Sequence, residues 1–252
     1  MTSEAMDRTL DREEVERFGR LADRWWDASG DFRPLHLLGP ARLAYVRREV
    51  LRHFGRPDQG FRPFAGLTLL DVGCGGGLIA EPLARLGGTV TGIDPSPDNI
   101  AAARAHAEAV GLNVTYKAER LEDVVAVGGQ FDVVTCLEVL EHIPDPAAFV
   151  GLLARVVRPG GLVILSTLNR TAPAYALAIV AAERLLGWLP VGTHQWDRFI
   201  TPDELAGYCR EAALTPAPAQ GLVYDVRSDR WQLGTSTEIN YLMAAARSGS
   251  GG

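Results

Sequence analysis

Leu67-Thr68-Leu69-Leu70-Asp71-Val72-Gly73-Cys74-Gly75-Gly76-Gly77 is the stretch that decides the fold. An apolar run of strand length stops in a cluster of glycines, and helical composition follows to about Leu86. Glycine tolerates positive φ and lets a ligand lie against bare backbone. The helix that follows would aim its N-terminal amides at such a ligand.

The same rhythm repeats downstream. TVTGID (89–94) precedes a helical stretch over 98–110, and NVTYKA (113–118), FDVVTC (131–136) and GLVILST (161–167) continue the series. Helices are expected at about 145–157 and 202–213. Repeated strand–helix units predict an α/β fold, a doubly wound Rossmann-like sheet with right-handed crossovers and helices on both faces. Ligands bind such sheets beyond the carboxyl ends of the strands, at the switch point. The glycine cluster and LEVLEHIPDP (137–146) both follow strand ends, so they should share one rim.

Upstream, helical spacing from about Asp11 to Asp27 puts Val15, Phe18, Leu21, Ala22, Trp25 and Trp26 on or near one stripe. A second helix is expected after Pro40, through Leu43, Val46 and Val50, because proline suits a first helical turn. Residues 1–60 thus read as an N-terminal helical segment and 61–247 as the ligand-binding domain, with an insertion over 170–200 and a flexible tail at 248–252. The chain has 252 residues and a formal net charge of −6, which suits one sizeable α/β domain and gives no basic footprint for nucleic acid. Cys74, Cys136 and Cys209 lie far apart, so neither a disulfide framework nor a zinc knuckle is expected, and a reducing cytoplasm fits best. The charged start is unlike a signal peptide, and no apolar run reaches the ~18 residues of a spanning helix.

A nicotinamide fingerprint would place a third glycine where Leu78 stands. GxGxG with an acid two residues before it favours a nucleoside ligand without pyrophosphate. Asp94 ends the second strand 21 residues after Gly73 (94 − 73), where a carboxylate can accept bonds from two ribose hydroxyls. Gly73 and Gly75 are the candidate backbone contacts.

DVGCGGG, GID, FDVV and RPGG (158–161) together resemble the S-adenosylmethionine-dependent methyltransferases of the doubly wound class. ADRWWD (22–27), FRPLH (32–36), LEVLEHIPDP, STLNR (166–170), GTH (192–194) and INYL (239–242) narrow the resemblance to the ubiquinone-biosynthesis O-methyltransferases, over about 13–242. The resemblance implies a seven-stranded sheet whose last strand, within 237–245, is antiparallel. It also implies S-adenosylmethionine contacts at Arg42, Gly73, Asp94 and Leu137. Arg42 would pair with the methionine carboxylate as a guanidinium fork, and Leu137 would wall the adenosine. The implied substrates are polyprenylated phenols or catechols, which suggests peripheral contact with the inner face of the membrane and with other quinone-biosynthesis enzymes.

Methyl transfer to a catechol needs the oxygen positioned and deprotonated. A helical turn starting at Leu137 would put Glu138 and His142 about 40° apart, with Glu141 on the same side. Pro144 stops that turn at Ile143. His142 is a candidate general base. Glu138 and Glu141 could instead hold a hard cation such as magnesium, with the catechol oxygens completing the shell; the resemblance implies this metal reading, with Glu138, Glu141 and His142 as candidate ligands. Imidazole is an unusual magnesium partner. A solvated rim is the third alternative, and all three remain open at this stage.

The insertion contains an apolar stretch from Tyr175 to Trp188, with His194 shortly after. Tyr175, Trp188 and His194 are candidates for a substrate lid with membrane contact; an ordinary buried helix is the alternative. Rival functions are methylation of another small phenol or carbon centre, a nicotinamide dehydrogenase, and a non-catalytic cofactor-binding scaffold.

Overall fold

A computed structural model describes residues 8–175, 196–225, 227–228 and 230–249. Its strands are β1 (Thr68–Val72), β2 (Thr89–Ile93), β3 (Thr115–Lys117), β4 (Phe131–Leu137), β5 (Val157–Leu168), β6 (Leu214–Pro216), β7 (Gln220–Asp225), β8 (Arg230–Gly234) and β9 (Asn240–Arg247). The helices are α1 (Arg12–Gly19), α2 (Arg33–His53), α3 (Ala80–Arg85), α4 (Pro97–Ala109), α5 (Leu121–Ala126), α6 (Pro146–Val156), α7 (Ala172–Tyr175) and α8 (Pro202–Glu211).

One sheet runs β3-β2-β1-β4-β5-β9-β7-β8, and β6 also pairs with β9. β1 to β5 are mutually parallel, and β9 runs antiparallel to β5. The direction of winding reverses between β1 and β4, so their carboxyl ends open a crevice. β6 and β7 pair with successive stretches of β9. The position beside β9 is therefore split in two, and β8 adds a further strand by pairing with β7. The sheet is thus larger than the expected seven strands, while its antiparallel last strand is as expected.

Alternation along each strand divides the core between two faces. Val163, Leu165 and Tyr241 pack with α5, α6 and α8. Leu162, Ile164 and Leu242 pack with α2, α3 and α4. Asp145 and Thr201 cap α6 and α8 with their side chains, and Thr201 with Glu204 completes a capping box.

The N-terminal region departs from expectation in two places. The stripe over 11–27 is two elements, since α1 ends at Gly19 and a 3₁₀ turn covers Ala22–Arg24. α2 starts at Arg33 and carries Pro40 inside it, with Pro34 taking the first-turn place assigned to Pro40. Proline in a helix interior removes one hydrogen bond, and packing holds this helix together across it: Leu38, Tyr45, Val46 and Val50 are all buried against the sheet.

Between α1 and α2, the two tryptophans clamp the glycine loop. The Trp25 ring stacks on Phe32 at 3.8 Å and donates to Asn99 Oδ1 at 2.9 Å. Trp26 donates to the Gly76 carbonyl at 3.0 Å and stacks on His106 at 3.4 Å. His36 Nε2 meets the Trp25 carbonyl at 2.8 Å. Downstream, the insertion leaves and returns at one place. Arg170 donates to the Phe199 carbonyl at 3.1 Å and pairs with Glu204, while Trp196 donates to the Thr171 carbonyl at 3.3 Å.

Gly76 does not have positive φ, yet a Cβ there would collide with Trp25. Gly76→Ala should therefore cost about 1–3 kcal/mol by overpacking rather than backbone strain. The urea midpoint should fall and tryptophan emission should change with it. An unchanged midpoint would show that Trp25 is not held against this loop.

Candidate active site

A cavity of about 370 Å³ follows the crevice at the ends of β1 and β4. One end is lined by Asp71, Gly73, Asp94 and Leu137, with Arg42 from α2. Its other end is bounded by Leu168, Tyr224, Trp231 and Ile239. Glu138, Glu141 and His142 lie on the wall between.

Gly73 has φ +69 and Gly75 φ +51, as the turn requires. Their bare faces have different neighbours. A Cβ on Gly73 would lie 2.5 Å from Val139, and one on Gly75 would enter the Trp25 ring. Gly75 therefore presents its bare face to Trp25 rather than to a ligand. Its amide donates to Asp94 Oδ2 at 3.1 Å. Ser96 N and Asn99 Nδ2 donate to Asp94 Oδ1 at 2.9 and 3.2 Å. Asp94 is thus the residue that ties the glycine loop to the end of β2, and it also faces the cavity.

Arg42 and Asp71 are buried and incompletely satisfied. Arg42 donates to the Leu35 carbonyl at 2.9 Å, but its Nε has no partner. Burial lowers its pKa, against the attraction of Glu138, Asp71 and Glu141. Asp71 Oδ1 accepts from Thr135 at 2.6 Å, and Oδ2 has no partner. Burial raises the Asp71 pKa from 3.8 to about 7, despite the Thr135 bond and Arg42. An orphaned donor and an orphaned acceptor at one end of a cavity suit the carboxylate and ammonium of an amino-acid group. Asp71 was visible as the acid before the glycines, but nothing in the spacing gave it this place.

The polar corner differs from the turn expected. Glu138 is in the left-handed region at φ +55, and only Leu140–His142 form a 3₁₀ turn. Ile143 is extended (φ −94, ψ 127), as the following Pro144 dictates. Glu138 N donates to the carbonyl and to Oγ of Ser166, both at 3.1 Å. Its carboxylate accepts from Ser166 Oγ at 2.7 Å and from Asn240 Nδ2 at 3.2 Å. Glu141 is buried and accepts from Thr167 Oγ1 at 2.8 Å. Ser166 and Thr167 are successive strand residues and point to opposite faces, so they draw the two carboxylates apart. His142 Nδ1 instead lies 3.3 Å from Glu14 Oε2 of α1.

Glu138, Glu141 and His142 therefore share a wall without converging. Among the described residues no three His, Cys, Asp or Glu side chains gather as a metal-ligand set. The side chains of Glu138, Glu141 and His142 are held by different partners (Ser166 and Asn240, Thr167, and Glu14) rather than around a common cation, which does not fit a magnesium site. Of the lid candidates, Tyr175 ends α7 and is partly exposed; Trp188 and His194 lie outside the described residues.

Asp71 makes stability depend on pH. The folded chain holds its proton up to about pH 7, whereas the unfolded chain ionises near 3.8. The folded state binds the extra proton in that window, so this contribution is complete below 3.8 and is lost as pH rises through 7. Relative to Asp71→Asn, the wild-type melting temperature should decline steadily from about pH 4 to pH 8 in the ligand-free chain. A difference between the two that stays flat with pH would overturn this.

The geometry has counterparts among known proteins. A family model described as a methyltransferase domain matches residues 41–217. The ubiquinone biosynthesis O-methyltransferase of Methylobacterium sp. (strain 4-46) is 51% identical over 239 residues, covering 95% of this chain and 96% of that one. The same-named protein of Agrobacterium fabrum (strain C58 / ATCC 33970) is 46% identical over 245 residues, covering 97% and 98%. In fold, the chain is similar to the magnesium protoporphyrin IX methyltransferase of Synechocystis PCC 6803 crystallised with bound SAH. That match has a TM-score of 0.61 at 22% identity and covers 94% of each chain. Near-complete coverage at such sequence identity decides the matter: the chain belongs to the family of ubiquinone biosynthesis O-methyltransferases, enzymes of the S-adenosylmethionine-dependent methyltransferase fold.

Proposed function

We propose that the chain methylates a phenolic hydroxyl of polyprenylated phenol or catechol intermediates in ubiquinone synthesis, with S-adenosylmethionine as donor and His142 as general base. The observation that carries this is the continuity of the cavity. It runs from the unsatisfied Arg42 and Asp71 past His142 to an end bounded by Leu168, Tyr224, Trp231 and Ile239.

Arg42 Nε and Asp71 Oδ2 would hold the carboxylate and ammonium of the methionine part. Gly73 would admit that part, Asp94 would take the ribose, and Leu137 would wall the adenosine. Bound there, S-adenosylmethionine supplies an electrophilic methyl group and its own leaving group, which leaves positioning and deprotonation to the protein. The ring of a prenylated substrate would pack against Tyr224 and Trp231, which lie 5.5 Å apart between ring centroids. His142 would then take the phenolic proton as the oxygen attacks.

A lipid-tailed substrate supports a peripheral position on the inner face of the membrane, beside other enzymes of the pathway, in a protein otherwise cytoplasmic. No described helix is long and apolar enough to cross a bilayer.

The test is an assay with S-adenosylmethionine and a short-prenyl catechol, following S-adenosylhomocysteine release, with the fully O-methylated analogue as blank. Turnover on the catechol alone is expected; none on any prenylated phenol would overturn the substrate class. His142→Ala should lower kcat by about 10²–10⁴-fold and leave S-adenosylmethionine affinity in place. Undiminished kcat would remove His142 as base.

A further inference from the structure

The glycine loop is braced by Trp26, Glu81 and His106, side chains that stand outside the cavity lining. They come from separate parts of the chain. Trp26 follows the 3₁₀ turn at Ala22–Arg24, Glu81 lies in the first turn of α3, and His106 lies in the last turn of α4. Glu81 is buried, and a buried carboxylate needs a partner. His106 Nδ1 meets Glu81 Oε1 at 2.7 Å. An ionised carboxylate can only accept, so Nδ1 carries the hydrogen and donates it.

The face of the same imidazole is also in use. It stacks on the Trp26 indole at 3.4 Å between centroids, with 6° between the planes. That stack sets the plane of the indole, whose Nε1 donates to the Gly76 carbonyl at 3.0 Å. The Glu81 amide in turn donates to the Gly77 carbonyl at 3.1 Å. A closed circuit therefore runs from the loop through Glu81, His106 and Trp26 and back to the loop. Within it the Gly76–Gly77 peptide is held at both ends, since the Gly77 amide donates to the Cys74 carbonyl at 2.9 Å. The Gly75 amide donates to Asp94 Oδ2, so the setting of this peptide reaches a carboxylate that faces the cavity. Glycine constrains its own backbone least. The run Gly75–Gly77 thus takes its fixed shape from contacts outside itself.

We propose that Glu81 and His106 are positioning residues for S-adenosylmethionine, acting through Trp26 to hold the Gly76 carbonyl and with it the loop that binds the cofactor. This rests on the reading of Gly73 and Asp94 as cofactor contacts. A loop fixed in advance has less freedom to lose on binding, so the brace sustains the cofactor's affinity. No reacting atom touches it. Turnover at saturating cofactor should therefore be left in place.

The experiment uses the full chain. It reads the dissociation constant for S-adenosylmethionine by calorimetry, and kcat and KM with a short-prenyl catechol, in His106→Ala, His106→Asn, Trp26→Phe, Trp26→Phe/His106→Ala and Asp94→Asn. His106→Ala should raise Kd and KM for the cofactor about tenfold, the scale of one lost hydrogen bond, while kcat at saturation stays within about twofold. Trp26→Phe keeps a ring for the stack but removes the donor to Gly76, and should cause a rise of similar size. In that background His106→Ala should cost nothing further, because its effect runs through the indole. His106→Asn keeps an amide donor for Glu81 without the ring. It serves if His106→Ala does not fold, with a severalfold rise in Kd expected that likewise vanishes in the Trp26→Phe background. A wild-type Kd in the His106 variants, or a rise that persists without Trp26, would overturn the proposal. Wild-type cofactor binding by Asp94→Asn would overturn the reading of the cofactor contacts and this proposal with it. A strong Asp94 effect with silent His106 variants would remove the brace alone.

Discussion

The exits of β1 and β4 meet at one point, where Val139 occupies the space that any side chain on Gly73 would claim. That contact fixes how the chain leaves β4. Glu138 sits there in a left-handed conformation, which costs a non-glycine residue about 1–3 kcal/mol. Its amide bonds to Ser166, and its carboxylate bonds to Ser166 and Asn240, which offset that cost at about 0.5–1.5 kcal/mol each. From this turn follow the separation of Glu138 from Glu141 and the direction of His142. A larger residue at 73 would displace Val139 and with it the turn that carries Glu138.

Around this contact the protein leaves some polar atoms unsatisfied and satisfies others with care. Asp94 accepts from three donors and holds the glycine loop in register with β2. Arg42 Nε and Asp71 Oδ2 have no partner. Each unsatisfied buried group costs about 1–3 kcal/mol, recovered when a ligand supplies its partner. The site is therefore organised before binding rather than by it. Trp25 and Trp26 support this arrangement from the segment between α1 and α2, one against Gly75 and Gly76, the other bonded to the Gly76 carbonyl and stacked on His106.

The central strands were legible because a parallel sheet buried on both faces writes short apolar runs ending in glycine or an acid. The α2 start was not, because Pro40 has the chemistry of a first turn and only tertiary packing keeps it in a helix interior. The β7–β8 hairpin escaped notice because its residues are mixed and half exposed, with no run to mark it. Several motifs that carried the family resemblance without any evident chemistry have structural tasks: Ser166 and Thr167 of STLNR position the two glutamates, Asn240 of INYL supports Glu138, and Phe32 and His36 of FRPLH hold Trp25. Glu14 was not legible at all. It stands in a charged run that reads as solvated surface, and its partner is 128 residues away (142 − 14).

The joined ends of the insertion have an evolutionary consequence. Arg170, Thr171, Trp196 and Phe199 hold the two flanks of the insertion together. Because the ends are already brought together, lengthening or replacing what lies between them adds little closure entropy and leaves the sheet's register untouched. Such a junction makes the segment an exchangeable cassette.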